Sequence, residues 1–243
     1  MDAVWEQTVP YYRKMGFARV NYTYTRFLTE TSYGDPDDAL FLTTNSPEYI
    51  KYFLRDGFYA KTPLFHWAIK NVGACTWRWV QEAYDAGKLS PTEAETVRSN
   101  LAMGVRAGVT ISFPTVSPRS KAGLGLIADP DLTHDDVDRI WAESGPEIMA
   151  VANMMHLKVS QLPQVSRHRS LTPRQREALG WVADGKTTQD IATIMGVSVA
   201  MVEKHLRLAR ETLDVDTTAQ AVAKATLLNQ IFHHNSHFVT GDS

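Results

Sequence analysis

Four short segments in the N-terminal part of the chain have the polar–apolar alternation, or the β-branched and aromatic content, that is typical of β-strands. They comprise residues 20–27, 39–44, 108–116 and 122–128. The segment SPRSKAG joins the last two and is typical of a hairpin connection. Together these segments predict a small sheet with antiparallel pairing.

Helical periodicity surrounds the predicted strands. The helical segments comprise residues 47–54, 63–70, 91–103 and 135–158. Pro146 lies inside the longest of them, so we expect a kink or a break near residues 144–145. Strands with helices on both sides predict an α+β fold for this part of the chain, an α-β-α sandwich with an antiparallel sheet.

The last third of the chain shows helical periodicity throughout. Thr172, Thr188 and Ser198 are the expected N-caps of three helices, and a fourth helix is expected from about residue 218 to 230. In the third helix, apolar residues recur in steps of three and four and leave one polar face. That polar face carries Glu203, Lys204, Arg207 and Arg210.

A short helix, a turn containing Gly196 and a longer helix with outward cations predict an all-α, four-helix domain of the helix-turn-helix type. The major groove of DNA, about 12 Å wide, admits one such helix. A plain amphipathic helical bundle fits the same periodicity, so the pattern by itself leaves both interpretations open.

A short polar segment separates the two parts. It reads SQLPQVSRHRS over residues 160–170 and combines a proline with alternating Ser, Arg and His, which is typical of a linker. We therefore predict an N-terminal domain over residues 1–160, a linker over 161–170 and a C-terminal domain over 171–243.

Composition narrows the possible functions. The 243 residues include 25 Lys and Arg against 27 Asp and Glu, a net charge of −2, which excludes a polybasic chain but not one basic face. No apolar run reaches the roughly 18–20 residues of a membrane helix. The first residues lack a secretion signal. We expect a cytoplasmic protein that does not act at a membrane.

Known catalytic motifs are absent from the sequence, among them the G-x-S-x-G elbow, the P-loop and H-E-x-x-H. The one cysteine, Cys75, cannot form an internal disulfide or a zinc cluster. We therefore expect neither an enzyme nor a protein with a metal or a cofactor.

The C-terminal stretch from Leu171 to Val215 resembles the DNA-binding domain of the LuxR family of transcriptional regulators. The resemblance rests on L-T-x-R, W-x-A-x-G-K, D-I-A, V-S followed by M-V-x-x-H, and T-L-x-V. Gln175 and Thr212 depart from it, standing where the family commonly has Glu and Lys.

The resemblance implies a role in DNA binding for each outward residue of the helix-turn-helix. Lys204 and Arg207 match residues that approach base edges, and Glu203 either accepts from a cytosine or pairs with Arg207. The residues placed for contacts to phosphates are Thr188, Ser198 and Arg210.

The segment SPEYIKYFLRDGFYAKTPLFHWAI resembles the autoinducer-binding domain of the same family. Gap-free alignment places Tyr49 at a family Trp, Phe53 at a Tyr and Thr62 at an Asp, and keeps Pro63. Trp77 falls on a second family Trp, and the segment around Gly108 resembles a strand entry. The other common input domain, a phosphorylated receiver, needs an acidic cluster after its first strand, an Asp after its third and a Lys after its fifth, and residues 1–160 do not carry that set at those places.

The substitutions change the expected ligand chemistry. In relatives that bind acyl-homoserine lactones, the Trp N–H donates to the lactone carbonyl, the Asp accepts from the amide N–H and the Tyr meets the acyl carbonyl. Tyr49 keeps a donor, Phe53 has none, and Thr62 is only a neutral acceptor. The candidates for replacement contacts are Tyr22, Tyr24, Tyr52, Tyr59, Thr110 and Ser112.

Two predicted features bear on ligand size and assembly. Gly123 and Gly125, on a predicted strand, either leave room for a long acyl chain or only mark a bulge. The helix of residues 135–158 packs either against a second copy or on its own sheet. The sequence thus predicts a ligand-responsive dimeric transcription factor for palindromic DNA. Its signal is a long-chain acyl-homoserine lactone or another apolar molecule; a regulator without a ligand is the remaining alternative.

Overall fold

A computed structural model describes residues 2–30, 32–115, 117–164 and 169–232. The chain divides into two compact units, Met1–Ser160 and Gln161–Ser243. The predicted linker lies only partly within the described residues, because residues 165–168 fall outside them, as does the tail from residue 233.

The N-terminal unit contains a five-stranded sheet in which all neighbouring strands are antiparallel. Its strands are β1 (Arg19–Thr25), β2 (Leu40–Thr43), β3 (Gly73–Thr76), β4 (Gly108–Ser112) and β5 (Lys121–Ile127). Their order is β2-β1-β5-β4-β3. The predicted antiparallel sheet and its β4–β5 hairpin are confirmed. Strand β4 ends before Pro114, which has no N–H to donate to a ladder, and the short β3 was not predicted.

Six helices of the described residues accompany this sheet. They are α1 (Asp2–Lys14), α2 (Pro47–Ile50), α3 (Pro63–Lys70), α4 (Arg78–Asp85), α5 (Pro91–Ala102) and α6 (His134–Gln161). Helix α2 continues into a π-helical turn, Lys51–Arg55, so the predicted helix of residues 47–54 changes its geometry halfway. The sequence did not predict α1 and α4.

Helix α6 runs unbroken through Pro146, so a break near residues 144–145 was wrong. A proline removes one hydrogen bond to the carbonyl four residues earlier, here that of Ala142. Ala142 and Pro146 are both exposed, so water can bind that carbonyl. The opposite side of α6 is held by buried residues such as Ile148 and Met155.

The two faces of the sheet differ in chemistry because side chains alternate along each strand. One face is apolar and packs with residues of α1 and α6; it carries Val20, Tyr22, Val109, Ile111, Leu124 and Leu126. The other face carries Asn21, Thr23 and Thr110 beside Gly123 and Gly125, which are their cross-strand partners. The candidate site lies over this second face.

The C-terminal unit is helical in its described part, as predicted. Its helices are α7 (Pro173–Ala183), α8 (Thr188–Met195), α9 (Val199–Leu213) and α10 (Thr218–Leu227). Thr172 and Ser198 are N-caps, as expected. The N-cap of α8 is Thr187 rather than Thr188, because the Thr187 side chain accepts from the Asp190 N–H and Asp190 bonds back in a capping box.

Two features are absent from the described residues. None of their helices is long and apolar enough to cross a membrane. Nor do they contain a group of three or more His, Cys, Asp or Glu residues that could hold a metal ion.

Candidate functional site

A cavity of about 100 Å³ lies over the polar face of the sheet. A cavity needs about 10–15 Å³ of such volume to hold one water, so this cavity is larger than a single-water site. Residues Asn21, Thr23, Thr110 and both strand glycines contribute from the sheet side. The remaining lining is largely aromatic and aliphatic, and includes Tyr33, Tyr59, Leu64, Phe65, Val105 and Ile127.

Four of the six predicted ligand residues line this cavity, namely Tyr49, Phe53, Thr62 and Trp77. The structure does not place Pro63 and Gly108 among the lining residues. Pro63 is the first residue of α3 and fixes the start of that helix directly after Thr62. Gly108 acts through Trp77, because a Cβ at Gly108 would lie 3.0 Å from the Trp77 ring.

Tyr49 provides a buried hydroxyl at the cavity. Its ring stacks on Phe53, with centroids 5.1 Å apart and planes 18° from parallel. Burial raises the pKa of Tyr49 well above its usual value, although a hydrogen bond with Asn21 lowers it in part. The Asn21 Oδ1 accepts from Thr43 Oγ1 at 2.6 Å and from Asn45 Nδ2 at 2.7 Å, which turns the Asn21 amide N–H toward Tyr49. Tyr49 thereby keeps its proton for a ligand.

Thr62 has little hydrogen-bonding capacity left. Its hydroxyl donates to the Tyr59 carbonyl at 2.8 Å and accepts from the Phe65 N–H at 3.1 Å as the N-cap of α3. One lone pair remains on a neutral oxygen. Thr62 therefore cannot act as a charged acceptor of an amide N–H, as the family Asp does.

Of the candidates for replacement contacts, Thr110 and Tyr59 line the cavity. The Thr110 Oγ1 accepts from Trp77 Nε1 at 2.9 Å, and the Tyr59 hydroxyl accepts from the Tyr33 N–H at 3.2 Å. Each hydroxyl accepts in these bonds and so can still donate its own proton. Both are therefore donors available to a ligand carbonyl.

The other four candidates are not part of the lining. Tyr22 and Tyr24 lie on the apolar face of the sheet, where they contact His156. The Ser112 hydroxyl shares its proton between two backbone carbonyl oxygens, those of Asn71 at 2.7 Å and Ala68 at 2.8 Å. Tyr52 does not reach the cavity lining.

The two strand glycines leave cavity volume and do not mark a bulge. The register runs without interruption from Asn21 opposite Gly125 to Thr23 opposite Gly123. A Cβ at Gly123 would find its nearest neighbour at 3.5 Å, and one at Gly125 at 3.8 Å, which are ordinary contact distances. Side chains are therefore tolerable there, and their absence leaves space.

Among the lining residues that carry a polar side-chain group, the sequence missed four: Asn21, Thr23, Tyr33 and Asn100. The alternation of polar and apolar residues along β1 could have predicted the first two. When both faces of a strand are covered, its polar side chains need a polar partner or a cavity beside them. No sequence signal pointed to Tyr33 or Asn100.

Helix α9 presents a polar surface opposite its buried face. Val202, Leu206, Ala209 and Leu213 are buried, whereas Glu203, Lys204 and Arg207 are exposed. Arg207 pairs with Glu211 at 2.5 Å rather than with Glu203. Exposed pairs of this kind contribute only about 0–1 kcal/mol, so Arg207 can exchange its partner for a nucleic-acid acceptor at small cost.

The three residues predicted for phosphate contacts differ in their surroundings. Ser198 and Thr188 are exposed at the starts of α9 and α8. Arg210 is half-buried and donates to Thr218 Oγ1 at 2.9 Å, which ties α9 to α10. Gln175 is buried in the capping box of α7, where its side chain accepts from the Thr172 N–H at 2.7 Å. A family Glu could make the same bond.

Two sequence families match the chain. The family described as "Autoinducer binding domain" matches residues 1–159, and "Sigma-70, region 4" matches residues 165–213. The chain belongs to the LuxR-type quorum-sensing transcriptional regulators. This LuxR-type family regulates transcription through a helix-turn-helix and is not a family of enzymes.

Among named relatives, the regulator VjbR of Brucella ovis is 22% identical over 219 residues, which cover 90% of this chain and 84% of that protein. RpaR of Rhodopseudomonas palustris is 33% identical over 103 residues, 42% of this chain and 40% of that protein. Both are described as quorum sensing-dependent transcriptional regulators. A crystal structure of Escherichia coli SdiA is 16% identical, with a TM-score of 0.47, and the match covers 96% of this chain and 92% of that one.

The polar groups at the cavity of this chain are unequal in kind. Tyr49, Tyr59 and Thr110 supply hydroxyl donors. Phe53 has no hydrogen-bonding group where the sequence resemblance places a Tyr, and Thr62 has only a neutral oxygen where it places an Asp. Such a cavity suits a ligand rich in carbonyl oxygens.

Proposed function

We propose that the cavity binds an N-acyl-homoserine lactone with a long acyl chain. In this proposal the bound signal controls how a homodimer binds palindromic promoter DNA. The supporting observation is the cavity itself, which combines buried hydroxyl donors with an apolar remainder over the glycine-lined part of the sheet. The protein would act in the cytoplasm, where its DNA targets lie.

The polar end of the ligand would meet the hydroxyl donors. An acyl-homoserine lactone has a lactone carbonyl and an acyl carbonyl, and Tyr49 and Thr110 each keep a proton to donate. Phe53 and Trp77 would contact the ring and chain through their faces. The acyl chain would contribute about 0.8 kcal/mol for each buried CH₂.

Occupancy would act through stability. A ligand that binds only the folded N-terminal unit stabilises it by RT ln(1 + [L]/Kd), about 2.7 kcal/mol at a hundredfold excess over Kd. When the signal is bound, a larger fraction of the chains would be folded or dimeric. More of them would then be competent to bind DNA.

In the DNA complex, α9 would enter the major groove. Lys204 and Arg207 would approach base edges, and Glu203 would accept from a cytosine amino group. The contacts to phosphates would come from Thr188, Ser198 and Arg210. These roles are compatible with the exposure of the side chains. The exposed residues are Glu203, Lys204, Arg207, Thr188 and Ser198.

Assembly as a homodimer is proposed from an apolar stripe on α6. Met154 and Leu157 lie three residues apart on that helix, so they share one face. They are 72% and 61% exposed. A second copy of the chain would bury these side chains and bring a second α9 to the DNA.

A thermal unfolding series with short-chain and long-chain lactones tests the ligand proposal. We expect dodecanoyl-homoserine lactone to raise the unfolding temperature of the purified chain more than butanoyl-homoserine lactone does. The Gly125→Val variant, which fills the cavity without backbone strain, should lose the response to the long chain. The absence of a shift with every lactone would reject this function.

A second candidate is a regulator that responds to an apolar signal other than a lactone. It is favoured by Phe53 and Thr62, which remove two polar contacts that the lactone-binding relatives use. Mass spectrometry of the small molecule that co-purifies from native cells distinguishes the two, because a lactone and its ring-opened acid have characteristic fragments.

A further inference from the structure

The last turn of α5 places one polar side chain in the cavity wall without satisfying it. Asn100 lines the cavity, and its Oδ1 is shielded from solvent and has no hydrogen-bond partner among the described residues. Buried acceptors are almost always paired in folded proteins. An unpaired carboxamide oxygen at a cavity therefore indicates a group that a bound molecule completes.

Backbone hydrogen bonds fix the position of the main chain from which this side chain projects. The Asn100 carbonyl accepts from the Met103 N–H at 3.0 Å and from the Val105 N–H at 2.8 Å. Gly104 closes the turn with a φ of +69°, a conformation that favours glycine. Asn100 thus projects from the end of a helix and not from an extended loop.

Asn100 also separates the cavity from a second one. This smaller space, of about 40 Å³, shares Asn100, Leu64, Trp77 and Val105 with the first. The terminal bond of an Asn side chain has a broad rotation profile. The Asn100 oxygen can therefore turn toward a ligand group in either space.

The hydrogen-bonding groups around the cavity are unequal in kind. Tyr49, Tyr59 and Thr110 have protons to donate, which suits ligand carbonyls. Thr62 has already used its proton and one lone pair. A ligand with an N–H group therefore needs an acceptor, and Asn100 is a lining residue whose carboxamide oxygen has no partner among the described residues.

We propose that Asn100 accepts a hydrogen bond from the amide N–H of the ligand and selects amide-bearing signals over analogues that lack this group. The inference rests on the proposed function, because it takes the acyl amide of an acyl-homoserine lactone as the donor. Asn100 then replaces, from a different helix, the acceptor that the chain lost at Thr62.

The test compares two ligands that differ at one position. Dodecanoyl-homoserine lactone carries the amide N–H, and the corresponding ester has an oxygen in its place. Titration calorimetry on the full chain should show the amide bound about tenfold more tightly than the ester, since the ester leaves Asn100 unpaired. Asn100→Leu should bind both ligands with affinities within about twofold of each other.

Two further variants keep the test decisive. Asn100→Asp retains an acceptor and should retain the preference for the amide, and it covers the case in which Asn100→Leu does not fold. Thr62→Val removes the competing acceptor and should leave the preference for the amide unchanged. If Thr62→Val removes the preference, or Asn100→Leu keeps it, the role of Asn100 is refuted while the proposed function stands. If the wild-type chain binds neither ligand, the proposed function fails as well.

Discussion

Two glycines on adjacent strands have opposite roles, Gly108 in the packing of Trp77 and Gly125 in the volume of the cavity. At Gly108 an added Cβ would lie 2.2 Å from the Leu126 carbonyl oxygen and 3.0 Å from the Trp77 ring. The missing side chain is what allows Trp77 to lie against β4 and close one side of the site. At Gly125 the nearest atom would be 3.8 Å away, so the missing side chain there leaves ligand volume.

The two alanine substitutions should therefore differ in stability. Gly108→Ala forces a shift of strand or ring and should lower the free energy of unfolding by about 1–3 kcal/mol. Gly125→Ala, the matched control, should change it by no more than about 0.5 kcal/mol. Urea unfolding followed by tryptophan fluorescence measures both. Equal effects would mean that Gly108 is not required by the packing of Trp77.

His156 gives the apolar core a dependence on pH. Its Nδ1 lies 2.8 Å from the Tyr22 hydroxyl, and its ring stacks on Phe113 at 4.3 Å. Burial, with a smaller effect of Arg26, lowers the pKa of His156 from 6.5 to about 4. The unfolded chain therefore takes up a proton below pH 6.5 that the folded chain accepts only near pH 4.

Stability should accordingly fall as the pH drops from about 6.5 to about 4, with a slope from this group of at most about 1.4 kcal/mol per pH unit. His156→Gln removes this contribution, so its unfolding free energy should change less over that range. Parallel curves for wild type and His156→Gln would contradict the prediction.

At the scale of residues, the sequence predicted those parts of the site that local pattern or family alignment encodes. Tyr49 and Trp77 followed from alignment, and Asn21 follows in retrospect from strand alternation. Asn100 did not, because its place depends on how the end of α5 meets the sheet. Contacts between segments distant in sequence leave no periodic signal.

At the scale of elements, tertiary packing decided the cases that local rules got wrong. Strand β3 has four residues and no alternation, yet it pairs with β4 from Gly73 opposite Ser112 to Thr76 opposite Val109. Helix α6 tolerates Pro146 because its buried face supplies contacts on both sides of the proline. Short strands and interrupted helices form when neighbours stabilise them.

The start of α8 allows a matched test of one element. Thr187 caps the helix and forms a capping box with Asp190, whereas Thr188 is the first helical residue. Thr187→Ala should destabilise α8 by about 1 kcal/mol, an increase of roughly fivefold in hydrogen exchange over residues 188–195. Thr188→Ala should change that exchange by less than about twofold. A larger increase in exchange for Thr188→Ala than for Thr187→Ala would instead support Thr188 as the N-cap, as the sequence predicted.

At the scale of the whole molecule, the two units divide the work between sensing and DNA binding. Each chain has one α9, and a palindrome presents two half-sites about 34–36 Å apart, so reading it takes two chains. A homodimer with twofold symmetry uses the same patch on both copies. The stripe of Met154 and Leu157 on α6 is suited to such a patch because both apolar side chains are largely exposed in the part of the chain that the structure describes.

In a dimer with twofold symmetry, one substitution changes the interface twice. Leu157→Asp places two carboxylates in the proposed contact and should raise the dimer dissociation constant by at least about tenfold. Val72→Asp is the matched control, since Val72 is 62% exposed but lies outside α6, and it should sediment as the wild type does. Sedimentation velocity over a concentration series measures all three proteins. A wild type that stays monomeric would contradict the proposed homodimer. A Leu157→Asp chain that dimerises as tightly as Val72→Asp would require a different surface for assembly.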